Sequence, residues 1–155
     1  MATKDEQKTR EWPGYGAKPA QWLSAIPLLA RRMLCAAYAV LIAGLSLAPG
    51  SSFDFLPPLF PGEDKLGHVL MYALLAWLLL WAASPAPGRR TWHRLIISVV
   101  LCFAYGALLE VAQEFFRPND RQFSVGDMAA NAVGAVLAAT TWLIIFPIRR
   151  GTHTT

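Results

Sequence analysis

Four long apolar stretches constrain this chain before anything else. They are "MLCAAYAVLIAGLSLA" (33–48), "LGHVLMYALLAWLLLWAA" (66–83), "LIISVVLCFAYGALLEVAQEFF" (95–116) and "GDMAANAVGAVLAATTWLIIFP" (126–147). At about 1.5 Å per residue, roughly 20 helical residues cross a hydrocarbon core about 30 Å thick. The last three stretches reach that length or nearly so. The first is short when counted from Met33. It becomes adequate if the helix begins near Leu28 and Arg31 and Arg32 snorkel to the interface. Four buried helices of a water-soluble bundle would each keep a polar face, and residues 73–83 and 132–146 have almost none. Only 15% of the 155 residues are charged, against about a quarter in a soluble domain. The expected fold is all-α: a polytopic membrane protein with four transmembrane helices.

The flanking charges set an orientation. Lys and Arg in short flanks stay on the cytoplasmic side. Lys4, Lys8, Arg10, Lys18, Arg31 and Arg32 precede the first span. Arg89, Arg90 and Arg94 lie between the second and third, and Arg149 and Arg150 follow the fourth. The opposite side has only Lys65, Arg117 and Arg121. Both termini are therefore expected in the cytoplasm, and the loops 49–65 and 117–126 outside. The net charge of +4 is a topology signal. The basic residues are scattered with no aromatic ladder, so no nucleic acid partner is expected.

Residues 1–27 read as a polar cytoplasmic tail, 28–147 as the membrane domain and 148–155 as a short cytoplasmic tail. Pro49 follows the "SLA" of the first span and disfavours cleavage there, so that span reads as an uncleaved helix. Cys35 and Cys102 fall inside spans and read as small packing residues.

The polar residues gather at one depth. Asp64, Lys65 and His68 open the second span, and Tyr72 shares a face with His68 at a spacing of four. Glu110, Gln113 and Glu114 lie in the last two turns of the third. Asp127 and Asn131, again four apart, open the fourth. All three groups fall within roughly 10 Å of the outer boundary. A charge in mid-membrane costs about 2.5–3.5 kcal/mol and less near the interface. Glu110 is the deepest and is expected to face the bundle interior, with His68, Lys65 or Asn131 as its neighbour.

Structural roles account for some of these residues singly. Asp64 reads also as a helix cap. Ser124 with Asp127 reads as a capping box. Tyr72 reads also as an interfacial belt residue. Gly134 and Ala138 suit close helix packing. So many polar types at one depth exceed what packing requires.

"DKLGHVLMYALL" resembles the D-K-x-x-H-x-x-x-Y-x-x-L signature of VanZ-like membrane proteins. "EVAQEFFRPNDRQFSVGDMAANAVGA" is similar to that family's second signature, E-x-x-Q, an Arg, then D-x-x-x-N-x-x-G. The resemblance covers roughly residues 33–146. Carried over by position, the characteristic polar residues are Asp64, Lys65, His68, Tyr72, Glu110, Gln113, Arg121, Asp127 and Asn131. The family takes its name from a protein associated with low-level resistance to teicoplanin, a lipid-bearing glycopeptide. The resemblance implies a multi-pass protein of the bacterial cytoplasmic (inner) membrane.

Three functions fit these residues. The first is binding or remodelling of lipid-linked envelope components, such as a lipid-linked glycan, at the outer leaflet, with a link to lipoglycopeptide resistance. Lys65, Arg117 and Arg121 would hold a phosphate or carboxylate. The second is an enzyme acting on a lipid head group. His68 would be the general acid or base, Glu110 would assist it, and Arg121 with Lys65 would stabilise negative charge. The third is a structural subunit without chemistry. No nucleophile elbow, phosphate loop or HExxH is present. His93 and His153 fall on the other side, so the sequence points to no cofactor and no metal, with a mixed histidine–carboxylate site as the weaker alternative.

Overall fold

A computed structural model describes residues 25–49, 52, 60–83, 91–116 and 123–146. The expectations for the N-terminal tail to residue 24, most of the 49–65 loop, the turn at 84–90, Arg117, Arg121 and the C-terminal tail lie outside these residues.

Four helices follow one another: α1 Leu28–Leu47, α2 Glu63–Ala82, α3 Thr91–Phe116 and α4 Val125–Ile145. All four are long and apolar enough to cross a membrane. The helix expected to begin near Leu28 begins there. The third starts one turn before the expected Leu95, because Thr91 to Arg94 continue the same helix.

Local sequence sets the ends. Pro27, with ψ of 143°, stands before α1, and its carbonyl accepts from the Arg31 N–H at 3.2 Å. Ala48 is extended at the other end of α1, as the residue before a proline must be to clear the ring. Gly62 precedes α2 at φ 89°, a left-handed conformation that costs a glycine little. Glu63 and Asp64 then place negative charge in the first turn of α2, where the helix dipole favours it.

The helices alternate in direction. One end of the bundle gathers the end of α1, the start of α2, the end of α3 and the start of α4. Gln113 on α3 meets Ser46 on α1 there, and His68 on α2 meets Asn131 on α4. At the other end, Leu80, Trp81, Leu95, Trp142 and Phe146 pack together. The Trp77 and Trp142 rings meet edge to face at 4.8 Å. Arg31 lies at this end too. It was expected to snorkel, yet it is only 5% exposed. Its Nε donates to Ile26 O at 2.8 Å, and its guanidinium lies 5.7 Å from the Trp81 ring centroid. Packing of α1 against the last turn of α2 holds it there.

The central core joins Cys35 and Ile42 of α1, Tyr72, Leu75 and Ala76 of α2, Cys102 of α3, and Ala135 and Ala138 of α4. Both cysteines are free and buried, as small packing residues are. α2 touches all three other helices, and its contact with α4 is the most extensive. Gly134 explains that approach. A Cβ there would run into the Val69 carbonyl and come within 2.9 Å of the Ala73 nitrogen. Small residues let membrane helices close to backbone contact.

The exterior is apolar. Leu29, Val40, Leu108 and Ile144 stand well out from the bundle. Glu110, Gln113 and Asn131 are buried. Apolar outside with selected polar groups inside suits a lipid solvent, in which buried polar residues face the bundle interior.

Candidate functional site

The site lies where α2 starts, α3 ends and α4 starts. His68 sits in the second turn of α2, with its side chain 12% exposed. Its Nδ1 is 2.9 Å from Asn131 Oδ1, and its Nε2 is 3.9 Å from Asp127 Oδ2. Asp127 and Asn131 lie one turn apart on α4, which lets both reach the same ring. With Asn131 Oδ1 as the acceptor, the Nδ1 of His68 carries the proton. Nε2 is then the nitrogen on the Asp127 side of the ring.

Glu110 enters from α3 and is 3% exposed. Its Oε2 accepts the backbone N–H of Ser124 at 3.2 Å. Ser124 is the N-cap of α4, and its Oγ accepts from the Asp127 N–H at 3.2 Å. The capping box expected from Ser124 and Asp127 is thus half present. Its second arm, the carboxylate on the cap's own N–H, comes from Glu110 of another helix. Asp127 is thereby released to face His68 and Lys65. Glu114, one turn after Glu110, accepts the Phe123 N–H at 3.0 Å and stays exposed.

One nitrogen of His68 and one carboxylate oxygen each of Glu110 and Asp127 lie within 4.8 Å of one another. This is the mixed histidine–carboxylate grouping expected only as the weaker alternative. Two of the three groups are carboxylates, and they arrive from different helices.

The other residues expected at the site divide. Lys65 reaches the rim. Its Nζ is 3.1 Å from Asp64 and 4.0 Å from Asp127 Oδ1. Asp64 faces outward with its side chain 58% exposed. It makes no cap bond at the start of α2, because it stands within the first turn, after Gly62. Tyr72 is 1% exposed, so it belongs to the bundle interior, not to an interfacial belt. Its ring stacks below His68, with centroids 6.4 Å apart. Gln113 points to a different neighbour: its Nε2 donates to Ser46 O at 2.7 Å, in the last turn of α1. That bond serves a helix-end carbonyl with no partner within its own helix. Arg121 lies outside the described residues.

Gly106 is a site residue that the sequence reading missed. A Cβ there would stand 2.6 Å from Asn131 Nδ2 and 3.1 Å from Tyr72 Cε1. The missing side chain makes room for the amide that fixes His68. A lone glycine one turn before Glu110, inside a span, was the available signal. A cleft of about 560 Å³ lies elsewhere, between α1, α2 and α3. Arg32, Leu79 and Ala82 among its lining place it toward the opposite end.

The family model described as VanZ/LLP1 matches residues 23–146. No curated protein and no solved structure is similar enough to match the chain.

Proposed function

The chain belongs to the VanZ/LLP1 family, and we propose that its polar cluster binds the head group of a lipid-linked envelope component at the outer leaflet. The observation that carries this reading is the convergence of His68, Glu110 and Asp127 from three helices, beneath a half-exposed Lys65. Charged and hydrogen-bonding groups held together in a membrane bundle are costly, and they mark sites more often than packing. Lys65 sits at the rim, where it can meet a phosphate or carboxylate. The apolar exterior of the bundle delivers the acyl or prenyl part of such a ligand alongside. The outward direction of the site rests on the excess of Lys and Arg at the opposite side. The same count puts both termini inside, and membership of the family supports a bacterial cytoplasmic-membrane location.

The test uses a host strain lacking the gene, complemented with His68→Asn, Asp127→Asn or Arg121→Ala. Each variant is first shown to insert and to keep the wild-type elution profile in detergent. The lipid-linked glycan pool and tolerance of a lipoglycopeptide are then measured. Loss of the wild-type phenotype in folded variants supports the site. Wild-type behaviour of all three removes it.

A further inference from the structure

We infer that His68, Glu110 and Asp127 form a binding site for one divalent transition-metal ion, with Zn²⁺ the ion to which the donor set is best suited. One imidazole nitrogen and two carboxylate oxygens, from three different helices, already lie within 4.8 Å of one another. An ion would sit about 2.0–2.2 Å from each donor, so the three groups would close in on it from this spacing.

Two independent features of the surroundings point to an ion. The first is the orientation of the imidazole. In the tautomer whose Nδ1–H donates to Asn131 Oδ1, 2.9 Å away, Nε2 is left as the lone-pair nitrogen on the Asp127 side of the ring. A metal-binding histidine is commonly fixed in this way, by an oxygen acceptor on its other nitrogen. Asn131 is 1% exposed, and Gly106 clears the space it occupies. The second is the buried Oδ1 of Asp127, which has no hydrogen-bond partner. A carboxylate oxygen so placed is costly unless a cation serves its group. Lys65 approaches that oxygen only to 4.0 Å, beyond hydrogen-bonding reach.

Glu110 and Asp127 supply two carboxylates, and the Lys65 ammonium at the rim lies closer to Asp64, at 3.1 Å, than to Asp127, at 4.0 Å. One histidine with two carboxylates favours Zn²⁺ or Mn²⁺ over Ca²⁺ or Mg²⁺, which prefer oxygen alone. Three protein donors leave coordination positions open. The rim at Lys65 would let a phosphate or carboxylate fill one. That last step rests on the proposed function; the ion site itself does not.

The experiment uses the full chain purified in detergent and stripped of metal. Zn²⁺ is titrated calorimetrically, and Co²⁺ is added as a visible-absorption probe. We expect one ion per chain. His68→Ala and Asp127→Asn should each weaken binding by at least about tenfold and remove the Co²⁺ band. Asn131→Leu should weaken it by about 10–100-fold through the imidazole it positions. Asn131→Asp, which keeps an acceptor for Nδ1–H, should restore most of that loss. His93→Gln and His153→Gln should change nothing. Failure of the folded wild type to bind one ion overturns the inference, and so does binding that His68→Ala leaves intact. Either result would leave the cluster as side-chain contacts among His68, Asn131 and Asp127 without an ion. Where His68→Ala does not fold, Asp127→Asn and the Asn131 pair decide. Loss of the lipid phenotype without ion binding would sink this inference and leave the head-group reading standing.

Discussion

Glu110 Oε2 accepts the backbone N–H of Ser124 at 3.2 Å, so a carboxylate on α3 completes the cap at the start of α4. The contact ties two helices across an interhelical connection. It also frees Asp127, the residue that would otherwise close the capping box, to turn toward His68.

That relationship makes Glu110 a stability residue as well as a site residue. Glu110→Ala should cost about 1.5–3 kcal/mol, the range for a hydrogen bond to a charged group. Glu110→Gln keeps an acceptor oxygen and should cost less. Thermal unfolding in detergent measures the difference. Equal Tm values for the two variants would show that the bond to Ser124 does not hold the start of α4.

Gly134 and Gly44 make a matched pair. Gly134→Ala must push α4 away from the Val69 carbonyl, and overpacking of this kind costs about 1–3 kcal/mol. Gly44→Ala meets nothing within 4 Å and should leave the Tm unchanged or slightly raised. A Gly134→Ala protein as stable as the Gly44→Ala protein would contradict the close α2–α4 approach.

Gln113→Leu should separate structure from site. The change removes the donor to Ser46 O and should cost about 1–3 kcal/mol, because a buried carbonyl loses its partner. Ion binding by the folded variant should match wild type, since Gln113 faces α1. A lost Co²⁺ band with an unchanged Tm would place Gln113 in the site instead.

Labelling of single introduced cysteines tests the orientation. Phe60 and Trp92 are both exposed, at opposite ends of the bundle. With Cys35 and Cys102 replaced by alanine, Phe60→Cys should react with a membrane-impermeant maleimide on intact cells. Trp92→Cys should react only after lysis. The reverse pattern would invert the topology and place the polar cluster at the cytoplasmic face.

The sequence by itself determined the helices. Length and unbroken apolarity specify four spans, and Pro49 and Gly62 mark where two of them stop and start. Those signals are local, so they can be read without knowing the fold. Depth was legible as well, since a position along a span is a distance from the boundary. His68, Glu110, Asp127 and Asn131 were therefore gathered at one end on sequence grounds, and the structure does bring these four together. Rotation about each helix axis was not legible, because it depends on which faces pack. Tertiary structure alone decided that Asp64 points outward and that Gln113 serves Ser46. It also decided that Tyr72 is enclosed and that Gly106 makes room for Asn131. The Ser124 cap shows the reason most directly. A spacing of three identifies Asp127 as the partner in an isolated helix, but a carboxylate from another helix, placed by packing, took that role.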